Sequence, residues 1–361
     1  MKVLTVARWV GFSILSIFEQ KNAYQLPNMN ESKKWKSRLL SSSLPLEYEV
    51  AKILTDRDFS VSFDYSYYRK DANQKKEFST DLKGLHFFPL DTEDRIDASL
   101  TLLAECKYRE EGKKWIFLPD INKPEFSDFT LGYTIKSLAE FSKAKTKRDL
   151  ITSFEDEFEF ALKGVEINLT SGEVFDKDIR HGIAQLKFAL PYLIKSTIEG
   201  NTYCHLADAK PAYIISVLVT NADLYILDDA FSIERVKECE DLNELTQHVP
   251  FLVCHSEIGP DFTDHHKEIF QGFSMDCEDI ENLKIFEAFQ KTQKDKKHQI
   301  YYSPLGCCHD LEQSYLFTMK KYYSQHFICN FKHFPEFIDK ILNTLAEVTK
   351  PDQKKTRSKK K

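Results

Sequence analysis

A carboxylate and an ammonium group stand two positions apart at the end of an apolar stretch. The segment reads Leu-Leu-Ala-Glu-Cys-Lys, in which the charged residues are Glu105 and Lys107. Alternate side chains of a β-strand point to the same face, so both charges would share one side of the sheet. Burial of either charge alone is costly. The pair therefore indicates a site with a chemical purpose, with a weak ion pair at an exposed strand end as the alternative.

A second carboxylate stands in the preceding β-rich run. Asp81 follows Ser-Thr and precedes Leu, although Asp is depleted in strands. If the two runs pair in an antiparallel meander, Asp81 can face Glu105, and carboxylates that close persist when a cation lies between them. Such oxygen ligands suit Mg²⁺ or Mn²⁺. Lys107 could then orient an attacking water and stabilise charge on a phosphate, which are the requirements of phosphodiester hydrolysis. Asp97 is a rival for the metal role.

The elements that must position these residues follow from hydrophobic periodicity. Apolar residues recur at helical spacing from Pro45 to Leu54, and Pro45 suits a first turn. Three β-rich runs follow, over Phe59–Tyr68, Phe78–Phe88 and Ala98–Tyr108. A fourth strand is expected at Trp115–Leu118, joined as a hairpin through the Glu111-Gly112 turn.

The remaining pattern is clear only in places. Residues 123–178 carry helical patches and no clear strand, which favours a helical insertion. A helix begins after Asp178, with an apolar face of Ile183, Leu186, Ala189, Leu190 and Leu193. The β-branched run Ala212–Thr220 is typical of a buried central strand, and Leu224–Leu227 follows a turn. Further elements are expected at Phe251–Cys254, Asp276–Lys297, His326–Phe331 and Pro335–Val348.

These residues and their order resemble the PD-(D/E)XK, or restriction-endonuclease-like, nuclease superfamily. The resemblance covers roughly residues 44–227 and implies an α/β fold with a mixed central sheet flanked by helices in the order αβββαβ. It implies that Asp81 is the aspartate of the second strand, although Thr-Asp replaces Pro-Asp, and that Glu105 and Lys107 form the (D/E)xK of the third. Some branches add a helical glutamate, for which Glu47 is the candidate and Glu49 the runner-up. Some add a glutamine on the later helix, here Gln185.

The function implied by the resemblance is divalent-metal-dependent hydrolysis of phosphodiester bonds. Asp81, Glu105 and Glu47 would bind Mg²⁺ or Mn²⁺, Lys107 would orient water, and Gln185 would position a neighbouring group. The substrate would be nucleic acid, DNA before RNA, in restriction, phage defence or repair, and the enzyme could be a homodimer. The alternatives are an inactive nuclease fold that binds nucleic acid or protein, and a phosphohydrolase acting on small esters.

Tyr108, Arg109 and His181 are weaker candidates for contacts at the edge of this site. Tyr108 and Arg109 directly follow Lys107 and could touch a phosphate or a base. His181 precedes Gln185 by four residues on the same helical face.

Composition limits the class of protein. The 361 residues are 42% hydrophobic and 13% aromatic, which is enough for an ordinary folded core and excludes general disorder. No apolar run reaches the roughly 20 residues that cross a bilayer, so no membrane partner is expected. The eight cysteines form no CxxC pair, which favours free thiols in a cytoplasmic protein over a zinc ribbon.

Charge and element order suggest how the chain is divided. The last eleven residues carry +5, so the other 350 carry −11 of the net −6. We expect an N-terminal extension over 1–40, a nuclease-like core over 41–230, a C-terminal α+β region over 231–349 and a disordered basic tail over 350–361. Whether the C-terminal region completes the first domain or forms a second is open.

Overall fold

Helices and strands are described here for residues 29–71, 74–89, 96–142, 146–205, 208–273, 280–292 and 303–350 of a computed structural model. The helices are α1 Met29–Ser41, α2 Leu44–Thr55, α3 Arg148–Glu155, α4 Lys177–Tyr203, α5 Ile233–Glu238, α6 Pro260–Phe270, α7 Ile280–Thr292, α8 Pro304–Glu312, α9 Leu316–Tyr323 and α10 Phe334–Thr349. The strands are β1 Ser60–Asp71, β2 Gln74–Pro89, β3 Ile96–Lys107, β4 Lys113–Pro119, β5 Lys136–Ser137, β6 Phe160–Asn168, β7 Val174–Phe175, β8 Ala212–Thr220, β9 Asp223–Leu227, β10 Thr246–Val249, β11 Phe251–His255 and β12 Gln325–Asn330.

The strands of these ranges form one mixed sheet. Its order is β1-β2-β3-β8-β12-β11-β6-β4-β9-β10, with β5 paired to β8 and β7 paired to β6. Strands β1, β2 and β3 are an antiparallel meander, and β8 lies parallel to β3. Along the chain, α2, β1, β2, β3, α4 and β8 follow one another in this order, with β4 to β7 and α3 inserted between β3 and α4.

Helices cover both faces of the sheet. On one face the sheet packs against α2, α3 and α10, and on the other it packs against α4, α6, α8 and α9. Strand β8 shows the division, since Ile215 and Val217 face the α2 side while Ile214 and Leu218 face the α4 side. Both faces of this strand are buried, which explains its uninterrupted apolar sequence. The prediction of an α/β protein with a mixed sheet between helices is confirmed.

The expected hairpin between β3 and the fourth strand is wrong. Strand β4 exists, but it pairs with β6 and β9. Strand β3 already has β2 on one edge and β8 on the other, so both of its edges have neighbours other than β4. The chain turns between Glu110 and Lys113 and enters a distant part of the sheet.

The expectation of a helical insertion without strands at 123–178 is also wrong. Strand β6 lies inside the sheet between β11 and β4, and α3 is the one α-helix of four or more residues in the described part of this segment. Two residues of β6 are atypical of a strand, so the sequence pattern did not reveal it. Gly164 is required because a Cβ there would lie 2.4 Å from the Phe117 ring, and Glu166 is buried because cations surround it.

The strands of the C-terminal region belong to the same sheet. Strand β12 lies between β8 and β11, and β10 pairs with β9. All six residues of β12 are buried. Helix α10 packs Phe337, Ile338, Ile341 and Leu345 against the α2 side of the sheet. The sheet therefore continues across the boundary at residue 231.

Parts of the predicted segments fall outside the described residues. They include the N-terminal extension up to residue 28, the two ends of the Asp276–Lys297 element and the basic tail from 351 onward. No helix among the described residues is both long enough and apolar enough to cross a membrane.

Candidate active site at the end of strand β3

Glu105 and Lys107 lie on the face of the sheet that α4 covers. Their neighbours Ala104 and Cys106 point into the opposite core, on the α2 side. Across the parallel pair, Glu105 is in register with Leu218, which belongs to the α4 side. The same-face arrangement predicted from the two-residue spacing is therefore confirmed.

Asp81 lies at an irregularity in the β1–β2 hairpin. Phe78 packs on the α4 side, whereas Leu82, four residues later, packs on the α2 side. A regular strand keeps such residues on one face, so the face changes in between. On β1, Asp64 lies opposite Asp81, between the strand pairs Phe63–Leu82 and Tyr65–Thr80. Its backbone is left-handed, with φ of 55°.

This irregularity brings the Asp81 carboxylate to β3. The pairing of β2 and β3 begins at Leu82 and Ala104. Beyond that point, the Cys106 backbone N–H donates to Oδ2 of Asp81 across 2.6 Å. The Asp81 side chain thus accepts the backbone hydrogen bond of Cys106, the residue that follows Glu105. This bond holds Asp81 and Glu105 together at the C-terminal end of β3, which we call the corner of the sheet.

Glu105 is fully buried, and its negative charge is only partly compensated by its neighbours. Its Oε1 accepts from Nζ of Lys107 at 2.6 Å. Among the described residues, Oε2 has no hydrogen-bond partner, although the nearby Asp81 backbone N–H favours the charged form. Burial raises the pKa of Glu105 to about 8, and the Asp81 carboxylate adds to that rise. Burial also raises the pKa of Asp81.

Glu47 approaches the same corner from the first turn of α2. The Tyr108 backbone N–H donates to Oγ of Ser43 at 3.1 Å, which ties the start of α2 to the end of β3. Burial, together with the carboxylates of Asp81 and Asp64, raises the pKa of Glu47 to about 7. The runner-up Glu49 is exposed, so the geometry favours Glu47.

Helix α4 places Gln185 above the strand ends. Oε1 of Gln185 lies 3.4 Å from Nζ of Lys107, and its Nε2 donates to the Ser79 carbonyl at 3.2 Å. One turn earlier, Gly182 allows the helix to approach closely, since a Cβ there would lie 2.7 Å from Leu218 and 3.5 Å from Cε of Lys107. The amide of Gln185 therefore links Lys107 to β2.

Two functional features of this corner were missing from the sequence interpretation. Asp64 adds negative charge beside Asp81 and Glu47, and Gly182 sets the approach of α4. The signal for Asp64 was present, because it interrupts an aromatic β-rich run just as Asp81 does.

The other candidates are separated from the corner or have partners. Arg109 forms ion pairs with Glu166 at 2.6 Å and Asp178 at 3.1 Å, so its charge is compensated within the protein. His181 is exposed at the edge of the site. The protein around it still partly desolvates the imidazole, which lowers the pKa of His181, and the charge of Lys107 lowers it further. Asp97 stands eight residues before Glu105 on β3, roughly 26 Å away along the strand. The geometry therefore favours Asp81 over this rival.

The residues fit a cation site of two carboxylates better than a closed cage of ligands. In the described parts of the chain, no three His, Cys, Asp or Glu side chains are grouped as a set of metal ligands. Mg²⁺ often binds through one or two carboxylates and completes its shell with water and substrate phosphate oxygens. Asp81 and Glu105, with one buried oxygen unpartnered, match that pattern.

Comparison with known proteins identifies no relative. No protein-family model matches the chain, and no curated protein or solved structure matches it. The site must therefore be interpreted from its own residues.

Proposed function

We propose that this protein is a divalent-metal-dependent nuclease with a restriction-endonuclease-like core, acting on DNA. The observation that carries the proposal is the buried Glu105, which pairs with Lys107, has one oxygen without a partner and has its pKa raised by the nearby Asp81 carboxylate. A structural ion pair would not need the second carboxylate, and two carboxylates this close in a buried place favour a cation between them.

The metal would be held by Asp81 and Glu105, and Glu47, whose pKa the Asp81 carboxylate raises, would assist. Bound Mg²⁺ or Mn²⁺ would polarise the scissile phosphate and lower the pKa of its coordinated water. The raised pKa values of Glu105 and Glu47 show that their negative charge is poorly stabilised by the protein alone. A cation would relieve that cost.

Lys107 has the geometry to orient the attacking water. An ammonium group has three donors. The Lys107 ammonium lies 2.6 Å from Glu105 and 3.4 Å from Gln185, which leaves one donor for water or a phosphate oxygen. Its side chain is 18% exposed, so solvent can reach it. Gln185 would act as a positioning residue that keeps Lys107 aimed at the corner.

Cleavage assays with metal test this function. We expect supercoiled, linear or single-stranded DNA to be cut with Mg²⁺ or Mn²⁺ and to remain intact in EDTA. Lys107→Ala and Asp81→Asn should abolish cutting while the thermal unfolding transition persists. Lys163→Ala, a change at an exposed lysine on β6, is the matched control and should cut normally.

The opposite outcome is equally informative. Full activity in both site variants would refute the assignment of the site. A folded protein that cuts no polynucleotide with any of these metals would refute the nuclease and leave the inactive nuclease fold as a binding module. Cleavage of small phosphate esters without cleavage of DNA would favour the other phosphohydrolase.

A further inference from the structure

A basic cleft lies beside the β1–β2 hairpin, away from the candidate active site. It has a volume of about 490 Å³ and forms where the far end of the hairpin meets α4 and α6. Its lining includes Tyr68, Arg69, Lys70, Lys75, Tyr192 and Lys195. This volume lies within the roughly 300–1,000 Å³ range of small-ligand pockets, which admits one or two nucleotides of a strand but not a duplex.

Positive charge exceeds negative charge in this cleft, although the chain as a whole is acidic. Four cationic side chains line it against the carboxylates Glu199 and Glu268. Some of the cations are held by the protein. Arg69 pairs with Asp261 at 3.1 Å, Lys70 pairs with Glu268, and Lys195 lies 3.9 Å from Glu199 and donates to the Ile269 carbonyl at 3.0 Å. Among the described residues, Lys75 is the lining cation for which no carboxylate partner is seen, and its charge favours an anionic ligand.

Aromatic rings accompany the cations. Tyr68 is 47% exposed, and the Lys75 ammonium lies 4.8 Å from the centre of its ring. The Tyr192 hydroxyl donates to the Tyr68 carbonyl at 3.2 Å, which fixes the second ring against the hairpin. Cationic grooves with exposed aromatic rings are the arrangement that binds single-stranded nucleic acid, since bases stack on the rings and the cations follow the phosphates.

The cleft and the active site lie on the same hairpin and the same helix. Tyr192 and Lys195 follow Gln185 by seven and ten residues on α4, or about 10–15 Å at 1.5 Å per residue. Lys75 stands six residues before Asp81 on β2, roughly 20 Å along the strand. Phosphates of one duplex strand are spaced about 3.4 Å apart along the axis. The distances of roughly 10–20 Å between the cleft and the active site therefore equal about three to six nucleotides.

We propose that this cleft binds a single-stranded segment of the nucleic-acid substrate, a few nucleotides from the bond that is cut. The inference rests on the proposed nuclease function and specifies it. The preferred substrate would have an unpaired stretch or end beside the cleavage position. Tyr68 would stack on a base, and Lys75 would contact a phosphate.

Binding in EDTA tests the cleft without cleavage. The probe is a fluorescent oligothymidylate longer than the roughly 4–16 nucleotides of a single-strand site, followed by anisotropy over a range of salt concentrations. We expect Lys75→Ala to reduce the slope of log affinity against log salt by about 0.7. Tyr68→Ala should weaken binding roughly 5- to 150-fold. Lys340→Ala is the matched control, because Lys340 also lies over a ring, that of Phe251 at 5.4 Å, on the opposite face of the sheet.

A variant with the opposite expected effect guards against loss of folding. Glu268→Gln removes negative charge from the cleft, so the oligonucleotide should bind more tightly than to the unaltered protein. Unchanged binding in Lys75→Ala, Tyr68→Ala and Glu268→Gln would overturn the proposal. The proposal would also be overturned if inorganic phosphate displaced the probe as well as unlabelled oligothymidylate does, since the site would then bind the free anion. Tighter binding of a blunt duplex than of the oligothymidylate would overturn it too.

Cleavage with Mg²⁺ separates this proposal from the nuclease function. If the unaltered protein cuts DNA but the three cleft variants cut and bind as it does, the cleft proposal alone fails. If the unaltered protein cuts nothing while the cleft variants change oligonucleotide binding as expected, the nuclease function fails and the binding site stands.

Discussion

Gly182→Ala is the change for which the structure gives the sharpest expectation. The added methyl group would lie 2.7 Å from Cδ1 of Leu218, 3.3 Å from Cδ2 and 3.5 Å from Cε of Lys107. Ordinary carbon contacts lie at about 3.5–4.0 Å, so the shortfall at Leu218 is about 1 Å. Leu218 is fully buried and has little room to move, so α4 must shift away from the sheet.

The magnitude follows from two opposing effects. Overpacking of a core costs about 1–3 kcal/mol, while replacement of a helical glycine by alanine gains about 1 kcal/mol. We therefore expect Gly182→Ala to lower the free energy of unfolding by about 0–2 kcal/mol. A shift of about 1 Å at Gln185 and Lys107 can lower the reaction rate about 100-fold. The rate of DNA cleavage should therefore fall strongly while the free energy of unfolding changes little.

Gly200→Ala in the same helix is the matched control. A Cβ at Gly200 meets nothing within 4 Å, so the helix gains up to about 1 kcal/mol without a clash. Denaturant unfolding of the two variants should differ by about 1–3 kcal/mol, and the rate of DNA cleavage should fall only in Gly182→Ala. If Gly182→Ala stabilised the protein as much as Gly200→Ala, the argument from close approach would be refuted, whatever the enzymatic activity.

Three further predictions concern the frame that holds the site. Burial lowers the pKa of Lys136 to about 7, below the value near 10.4 of an unfolded chain. The free energy of unfolding should therefore rise by up to about 1.4 kcal/mol per pH unit between pH 7 and 10 relative to Lys136→Met, and equal slopes would contradict this. Phe337→Ala should cost about 3–5 kcal/mol in urea unfolding, because Phe337 is fully buried against β11 and β12. A loss below about 1 kcal/mol would contradict that packing. A double-mutant cycle of Arg57 and Asp339, paired at 2.6 Å on the surface, should give a coupling below about 1 kcal/mol that weakens in salt, and a coupling insensitive to salt would be the contrary result.

Most of the local elements around the site could be predicted from the sequence. Helix α2, strands β1 to β3, helix α4 and strand β8 all lie where periodicity predicted them. The same-face relation of Glu105 and Lys107 also followed from their spacing, because alternation along a strand is a local property. The catalytic roles of these residues, and of Asp81, Glu47 and Gln185, stay predictions.

Strand pairing could not be predicted at the same level. The fourth strand was found in the sequence, but its partners β6 and β9 were not, and β6 was missed because Gly164 and Glu166 are atypical of a strand. Both residues make sense only beside the Phe117 ring and the cations around Glu166. Pairing depends on backbone edges and neighbours far away in the chain, which no local pattern encodes.

The sequence by itself determined the elements, the apolar faces and the charged residues that the end of β3 presents. The tertiary structure decided how those charges are held. It placed the Asp81 carboxylate on the Cys106 N–H, brought Asp64 opposite Asp81, and buried Glu105 with one oxygen unpartnered. Hydrogen bonds, burial and pKa values depend on which groups meet across strands and helices. They are therefore set only when β2, β8, α2 and α4 are packed around β3.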